Sequence, residues 1–179
     1  MRLYNAETQK QLDEIKELYL KSFPEEELKP FEMLIDNSKC GKGELLYIEK
    51  DNEFAGHVLM ATDKDLALLD YFAVAENKRG CGTGSEVMAM LQKRYADKKF
   101  FLEVETLSVP CDNLEQRQRR LNFYHRCGMK EAGFLVEVRG VAMDVLTHTA
   151  DISFDEYSNL YRNLFGEEIF KQVKLLKTY

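Results

Sequence analysis

The stretch LALLDYFAVAENKRGCGTGSEVMAMLQKRY, residues 66–95, decides the fold of this chain. An apolar run ends at Val74, and a polar linker follows it. Three glycines, at positions 80, 82 and 84, then precede an apolar stripe of helical period. Glycine loses more conformational freedom on folding than any other residue, so three in five positions indicate a backbone with a special task. The pattern predicts a buried strand, a glycine loop and a helix, in that order.

The start of this predicted helix is suited to an anion. A helix N-terminus presents unpaired N–H groups and a partial positive charge. Glycines allow a phosphate to approach that backbone closely. Thr83 and Ser85 could add hydroxyl donors, and the neighbouring Lys78 and Arg79 place positive charge beside them. The residues themselves therefore predict a pyrophosphate-binding loop at positions 80–85.

Two other phosphate-binding motifs fit this loop less well. A P-loop requires a lysine after its second glycine, and none follows Gly84. A dinucleotide-binding fingerprint requires G-x-G-x-x-G close against the strand end, whereas Ser85 takes the place of its third glycine here. Glu103 or Glu105 lies about 20 residues further on, which keeps the dinucleotide alternative open. An ordinary flexible turn is the remaining alternative.

The composition is that of an ordinary globular chain. Its 179 residues are 45% hydrophobic and 31% charged, a balance that favours one domain. The net charge of −6 argues against a general nucleic-acid binder, whose affinity depends on Lys and Arg neutralising phosphates. No apolar run reaches the roughly 18 residues of a membrane-spanning helix. The N-terminal residues also turn polar too soon for a secretory signal.

Cysteine and histidine positions indicate neither a disulfide framework nor a metal site. No two cysteines form a C-x-x-C pair, and a chain of this length needs no disulfides. The histidines lack the spacing of zinc ligands. We therefore expect a reduced, cytoplasmic protein with no bound metal. The cysteines are Cys40, Cys81, Cys111 and Cys127, and the histidines are His57, His125 and His148.

Helix signals stand at both ends of the chain. Thr8 and Gln11 fit a capping box that opens a first helix, and Ser153 and Glu156 fit a second one. The second capping box opens the C-terminal helix FDEYSNLYRNLF. We expect a main domain over residues 1–149 and, over residues 150–179, a helical extension packed on that domain.

Strand signals fill the middle of the chain. ELLYIEK and FAGHVLMATD surround a polar turn and predict a hairpin. KKFFLEVETL predicts a further strand, and EAGFLVEVRGVAMDVLTH predicts a last pair of strands or one hairpin. The helical segment LEQRQRRLNFYHRCG lies between these two, with Gly128 as its predicted C-cap. The order of elements indicates an α+β protein.

The glycine loop and its surroundings resemble a known family. VAENKRGCGTGSEVMAML is similar to the acetyl-CoA motif of the GNAT N-acetyltransferase superfamily, (Gln/Arg)-x-x-Gly-x-(Gly/Ala) between a strand and a helix. LNFYHRCGM resembles the family's later FYEKxGF element, and the likeness covers most of residues 1–147. It implies the GNAT fold, a mixed, mostly antiparallel central sheet flanked by helices, here with a helical C-terminal appendage.

The resemblance also implies acetyl-CoA as the acyl-donor cosubstrate. In the family, the strand before the motif binds the pantetheine arm through its backbone, and the amides of the motif hold the pyrophosphate. The physics of helix N-termini agrees with this role for the loop. We interpret the thiol at position 81 as filler at a variable position of the motif. The matching strand residues are Phe72, Ala73 and Val74, and the matching loop residues are Arg79, Gly80, Cys81, Gly82, Thr83, Gly84 and Ser85.

The later element implies a catalytic acid. Tyr124 matches the family tyrosine that protonates the departing CoA thiolate. A phenol with a pKa near 10 is a reasonable acid for a thiolate with a pKa near 8.5. The alternative is a tyrosine that only packs its ring in the core.

A catalytic base is harder to choose. In the strand FFLEVE, Phe101, Glu103 and Glu105 share one face, and two unpaired carboxylates would be costly to bury there. We therefore expect this face to line a cleft, with desolvation and repulsion raising the pKa of both carboxyls. Glu103 matches a glutamate that is the base in some family members. Glu105 and Asp70 are further candidates, as is a chain of waters.

Two alternatives to this cleft remain open. The face could instead be solvated or paired with arginines, for which Arg117, Arg119 and Arg120 are candidates. Arg117 and Arg120 also occupy the positions where the family often has Asn-x-x-Ala, after an extra loop, LSVPCDN. Their guanidinium groups either contact cofactor phosphates or an acidic substrate, or belong to a charged helix face.

The expected activity is transfer of acetyl from acetyl-CoA to an amine, by direct attack in a ternary complex. No cysteine or serine is placed as a covalent nucleophile. The acceptor is a small-molecule amine or a peptide, and the acidic balance favours a cationic one. The alternative from another class is a non-catalytic acyl-CoA-binding sensor or regulatory module. Strand edges of such folds often pair, so a homodimer stays open.

Overall fold

The computed structural model describes all residues from Met1 to Tyr179. From residue 9 to residue 165, helices and strands follow one another in the predicted order. No helix is long and apolar enough to cross a membrane. The helices are α1 (Gln9–Ser22), α2 (Phe31–Lys39), α3 (Thr83–Arg94), α4 (Leu114–Arg126), α5 (Phe154–Phe165) and α6 (Glu167–Phe170). The strands are β1 (Arg2–Asn5), β2 (Gly43–Lys50), β3 (Glu53–Asp63), β4 (Leu66–Val74), β5 (Lys99–Glu105), β6 (Lys130–Val138), β7 (Val141–Thr147) and β8 (Val173–Thr178).

The strands form one sheet in the order β1-β2-β3-β4-β5-β7-β6-β8. Neighbours are antiparallel in the pairs β1–β2, β2–β3, β5–β7, β6–β7 and β6–β8. This mixed, mostly antiparallel sheet with flanking helices confirms the expected fold class. The chain divides into two compact units, one made of Met1–Thr62 and Leu69–Arg94, the other of Asp63–Leu68 and Tyr95–Tyr179.

Local sequence signals explain where the elements begin and turn. Thr8 caps α1 through the predicted capping box, because its side chain accepts from the Gln11 amide and its own amide bonds to the Gln11 side chain. Asp51 and Asn52 both have positive φ, as a two-residue turn between right-twisted strands requires, and they join β2 to β3. Both elements were predicted from the sequence and are confirmed.

The core of the first unit lies between helices α1 and α2 and strands β2 to β4. Tyr19 is fully buried, and its ring packs edge-on against Tyr71 at a centroid distance of 4.8 Å. The Tyr19 hydroxyl donates to the Lys29 carbonyl and accepts from the Lys29 amide, both at 2.9 Å. These bonds fix the segment between α1 and α2 on the aromatic core.

The core of the second unit lies between α5 and strands β5 and β6. Tyr157 is fully buried, and its ring meets Phe101 on β5 and Phe134 on β6 at centroid distances of 6.1 and 5.8 Å. Ser153 begins α5 with the predicted capping box. The C-terminal extension therefore contributes directly to this core.

The last strand, β8, was not predicted. It pairs with β6, for example through Val173 opposite Val138, while Leu175 and Leu176 remain 44% and 47% exposed. The sequence VKLLKT has neither a clear alternation nor a turn signal before it, so only the unpaired edge of β6 makes it a strand.

Gly56 is a point of close approach within the first unit. Its φ is +145°, and a Cβ built there would lie 2.2 Å from the carbonyl oxygen of Ala73 on β4. Gly41 has a φ of +71°, but a Cβ there would meet nothing within 4 Å. Substitution of Gly41 therefore introduces backbone strain alone, whereas substitution of Gly56 adds a steric overlap to that strain.

We expect Gly56→Ala to destabilise the protein by roughly 3 kcal/mol, because β3 and β4 must move apart to admit the methyl group. Gly41→Ala should cost only about 1 kcal/mol, the strain of a non-glycine residue at positive φ. Urea unfolding of both variants measures the difference. Equal losses in the two variants would contradict the close approach at Gly56.

His57 is a buried titratable group in the same unit. It is fully buried, neither ring nitrogen has a hydrogen-bond partner, and burial lowers its pKa to about 3. In an unfolded chain a histidine titrates at about 6.5. Between these two values the unfolded chain binds a proton that the folded chain does not, so acidification favours unfolding.

His57→Phe should flatten the pH dependence of stability between pH 6.5 and about 3. The slope that it removes is at most about 1.4 kcal/mol per pH unit, the value for one proton. Thermal unfolding of the variant and the parent across this range checks the prediction. His148→Gln is the control, because its ring is partly exposed, and an unchanged slope in the His57 variant would refute the assignment.

Candidate active site

The glycine loop opens α3 in the first unit. β4 ends at Val74, a short 3-10 helix spans Glu76–Lys78, and α3 begins at Thr83. Gly80 and Gly82 have φ of +77° and +76°, and a Cβ on either would meet nothing within 4 Å. Positive φ explains the need for glycine at both positions. The open space beside them leaves the loop backbone accessible to a ligand.

The side chains of Arg79 and Thr83 hold the loop through hydrogen bonds to backbone carbonyls. The Arg79 Nε donates to the Val74 carbonyl at 2.9 Å, which ties the end of the loop to the end of β4. The hydroxyl of Thr83, buried at 1% exposure, donates to the Lys78 carbonyl at 3.0 Å. Because the hydroxyl proton of Thr83 already bonds to the loop, Thr83 can donate to a ligand only through its backbone amide.

Positive charge gathers at the loop, partly from a residue that the sequence analysis missed. Lys50, the last residue of β2, places its Nζ 3.1 Å from the Thr83 hydroxyl. Lys78 pairs with Glu53 at 2.6 Å, and this hydrogen bond raises the pKa of the lysine. A fold in which β2 ends beside α3 creates the Lys50 contact, and no local sequence signal announces it.

The predicted pantetheine strand is the end of β4. Ala73 is buried, whereas Phe72 and Val74 are half-buried. The Val74 carbonyl already accepts from Arg79, and the Ala75 amide donates to Ala55 at 2.9 Å. All ten predicted cofactor residues therefore lie in the first unit, on the end of β4, the loop that follows it and the first turn of α3.

Asp70, also on β4, forms a buried ion pair. Its Oδ1 lies 2.6 Å from the Lys29 Nζ, and the two side chains are 4% and 5% exposed. Oδ2 has no hydrogen-bond partner. Burial raises the pKa of Asp70, against the opposing effect of Lys29. The carboxyl is thus a buried group with one engaged and one free oxygen.

Glu103 lies on β5 in the second unit, beneath α5. The Tyr157 hydroxyl donates to its Oε1 at 2.6 Å. The Tyr161 hydroxyl lies 2.8 Å from Oε1 and 2.9 Å from Oε2. The sequence did not reveal these partners, although the spacing of four places both tyrosines on one helix face. α5 therefore packs against the part of this face around Glu103, whose side chain is half-buried.

Glu105, two residues further along β5, is paired with arginines. Arg117 and Arg120 on α4 approach its two oxygens at 2.8 and 2.7 Å. Arg117 also donates to the Thr106 carbonyl at 3.1 Å and to Asn113 Oδ1 at 2.8 Å. Of the alternatives drawn from the sequence, the arginine-paired carboxylate is the one observed.

Tyr124 lies near the C-terminus of α4, in the second unit. It is 9% exposed, and burial raises its pKa to about 12, with Arg120 opposing and Cys127 adding to the shift. Its carbonyl accepts from the amides of Cys127 and Met129, just past the end of α4, where the C-cap is Cys127 and the predicted cap Gly128 follows it with a φ of +83°. The hydroxyl therefore keeps its proton at neutral pH.

No group of three or more His, Cys, Asp or Glu side chains is arranged to hold a metal ion. The four cysteines are free thiols.

Comparisons with known proteins agree with this architecture. The model of the Acetyltransferase (GNAT) family matches residues 12–129. No curated protein sequence matches the chain. A GNAT-family acetyltransferase structure from Bacteroides thetaiotaomicron is 22% identical, with a TM-score of 0.75 over 93% of this chain and 99% of its own.

Two further solved structures share the fold and contain a bound cofactor. A GNAT-family acetyltransferase from Elizabethkingia anophelis with acetyl-CoA bound is 18% identical, with a TM-score of 0.59, over 83% of this chain and 97% of its own. An aminoglycoside 6'-N-acetyltransferase complexed with coenzyme A is 16% identical, with a TM-score of 0.66, over 86% of this chain and 100% of its own. At these identities the likeness shows the fold. Because the family model matches most of the chain and the fold agrees, the chain belongs to the GNAT family of acetyltransferases.

Proposed function

We propose that this protein transfers the acetyl group of acetyl-CoA to an amine by direct attack. The observation that carries the proposal is the loop before α3, where Gly80 and Gly82 have positive φ with open space beside them. The loop backbone is held by hydrogen bonds from the exposed Arg79 and the buried Thr83, so the amides at the helix start are preorganised for an anion. A pyrophosphate is the anion that acetyl-CoA offers to such a loop.

The cofactor residues act mainly through their backbone. Phe72 and Ala73 on β4 bind the pantetheine arm, and Val74 contributes its amide, since its carbonyl is bonded to Arg79. The loop amides hold the pyrophosphate. Two GNAT enzymes of the same fold, one with acetyl-CoA and one with coenzyme A, support the choice of donor.

Proton transfers complete the reaction. Once it has lost a proton, the amine nitrogen attacks the acetyl carbonyl, the C–S bond breaks, and the thiolate takes the proton of Tyr124, which regains one from the newly acylated nitrogen. A pKa of about 12 keeps Tyr124 protonated at neutral pH, so the residue holds a proton to donate, while the raised value makes it a weaker acid than an ordinary phenol. The amine loses its proton to Glu103, whose carboxylate is held in place by hydrogen bonds from two tyrosines. Asp70 is the alternative base.

The net charge of the protein indicates only the chemical class of the acceptor. With a net charge of −6 the protein attracts cations at long range, so we propose a cationic amine. A useful panel is spermidine, an aminoglycoside and a short peptide with a free N-terminus. The aminoglycoside is included because one enzyme of this fold acts on that class.

Binding of acetyl-CoA is the first test. Titration calorimetry should show micromolar binding that Gly82→Glu abolishes, because a side chain at positive φ and a carboxylate both oppose the pyrophosphate. Gly41→Glu is the matched control, with a similar φ of +71° and equally open surroundings. Desulfo-CoA and NAD are the ligand controls.

The outcomes separate the alternatives. Binding of NAD without acetyl-CoA would revive the dinucleotide alternative. Failure of all three ligands to bind would mean that the loop is an ordinary turn.

Tyr124→Phe tests the acid. We expect released thiol, measured with the fastest panel amine, to fall by about a hundredfold, the usual range for a lost general acid. Acetyl-CoA binding should stay intact, because the hydroxyl acts only on the leaving thiolate. Tyr47→Phe is the control, since it removes another largely buried hydroxyl, bonded to Glu14 at 2.9 Å.

Two results would count against this role. Unchanged turnover in the Tyr124 variant would remove the residue from the mechanism. Acetyl-CoA binding without turnover of any amine by the parent would favour the sensor alternative.

A further inference from the structure

We propose that α5 is part of the active site, with Tyr157 and Tyr161 as positioning residues that hold the Glu103 carboxylate. This inference rests on the proposed function, in which Glu103 accepts the proton of the amine. It assigns a role to the C-terminal segment, which lies beyond residues 12–129 matched by the family model. The argument uses contacts within the second unit alone.

The hydrogen bonds are short and come from buried donors. Tyr157 and Tyr161 are both 0% exposed, and their hydroxyls lie 2.6 and 2.8 Å from the Glu103 Oε1. Tyr161 also reaches Oε2 at 2.9 Å. Three contacts from two rigid side chains restrict the rotation of the carboxylate. A base must be within about 3 Å of the proton that it removes, so such restriction matters to a base.

The register of α5 on β5 is set by neighbouring contacts. Alternate residues of β5 share one face of the strand. On that face Lys99 pairs with Glu156, and the ring of Phe101 packs against Tyr157. These contacts flank α5 with an ion pair and an aromatic pair. They leave the two hydroxyls little freedom to point elsewhere.

The contrast with Glu105 indicates a division of tasks on one strand face. Glu105 is held by two guanidinium groups, which match its charge. The tyrosines donate hydrogen bonds to Glu103 from neutral hydroxyls. A neutral donor adds no positive charge of its own to oppose the approach of a cationic amine. The two neighbouring glutamates therefore differ in chemistry because α4 brings cations and α5 brings neutral donors.

Five variants test the inference with the fastest amine of the panel. We expect Glu103→Gln to lower kcat by about a hundredfold or more, the range for a lost general base. Tyr157→Phe and Tyr161→Phe should each lower kcat about tenfold, the equivalent of one hydrogen bond to a charged group. The KM for acetyl-CoA should not change. Tyr47→Phe and Ser153→Ala are the controls.

The dependence of kcat on pH shows whether the two tyrosines position the Glu103 carboxylate or only stabilise the fold. Hydroxyl donors favour the charged carboxylate, so their loss should move the acidic limb of kcat against pH to higher pH. Ser153→Ala removes the helix cap and weakens α5, yet leaves both hydroxyls in place. It should lower the melting temperature without moving that limb. Melting curves of all variants show whether each is folded.

The outcomes keep the inference and the proposed function apart. A large loss in Glu103→Gln, with both tyrosine variants at parent kcat and pH profile, would overturn the role of α5 and leave the base assignment standing. Parent activity in Glu103→Gln would overturn both the base and its positioning, while acetyl transfer itself would stand. A loss in the tyrosine variants with the same melting shift and unmoved pH profile as Ser153→Ala would reduce α5 to a structural support.

Discussion

The packing of the second unit depends on hydrogen-bond and ion-pair partners for Glu103 and Glu105, the two carboxylates on one face of β5. A carboxylate removed from water is costly unless donors meet it, so Glu103 and Glu105 each require partners from another element. Glu105 obtains two arginines from α4, and Glu103 obtains two tyrosines from α5. The helices that cover this face are therefore positioned by polar contacts as well as by apolar packing. An isolated apolar face would fix their register less strictly.

The first unit meets the same requirement in another way. Asp70 on β4 pairs with Lys29 in the segment between α1 and α2. That segment is held by its own backbone bonds to Tyr19 and Tyr71. Removing one partner of a buried pair leaves an uncompensated charge, which is strongly unfavourable. The connection between the two helices is thus tied to the strand that leads into the glycine loop.

Most of the fold could be predicted from local signals. The two capping boxes, the Asp51–Asn52 hairpin and the glycines at positive φ depend on residues a few positions apart. The shared face of Glu103 and Glu105 also follows from strand geometry alone. Each of these features is decided within one element or one turn, which is the range over which sequence patterns are informative.

The features that escaped prediction depend on contacts between distant residues. Tyr157 and Tyr161 are 54 and 58 positions from Glu103, and Lys50 is 33 positions from Thr83. Strand β8 exists because β6 offers a free edge. We expected the face around Glu103 to line a cleft, but the sequence did not indicate that α5 packs against it. The alternation of a strand predicts which residues share a face, but it does not predict which helix packs on that face.

The same distinction explains why the donor is easier to recognise than the acceptor. In the proposed function, acetyl-CoA is held mainly by backbone amides, which every sequence able to form the turn presents. A few glycines at positive φ, such as Gly80 and Gly82, therefore suffice to reveal the site. An amine is selected by side chains, and here the charged candidates are Glu103 and Asp70, each held by partners that lie in other elements. Selectivity for the acceptor is thus encoded in tertiary contacts, which only the folded chain displays.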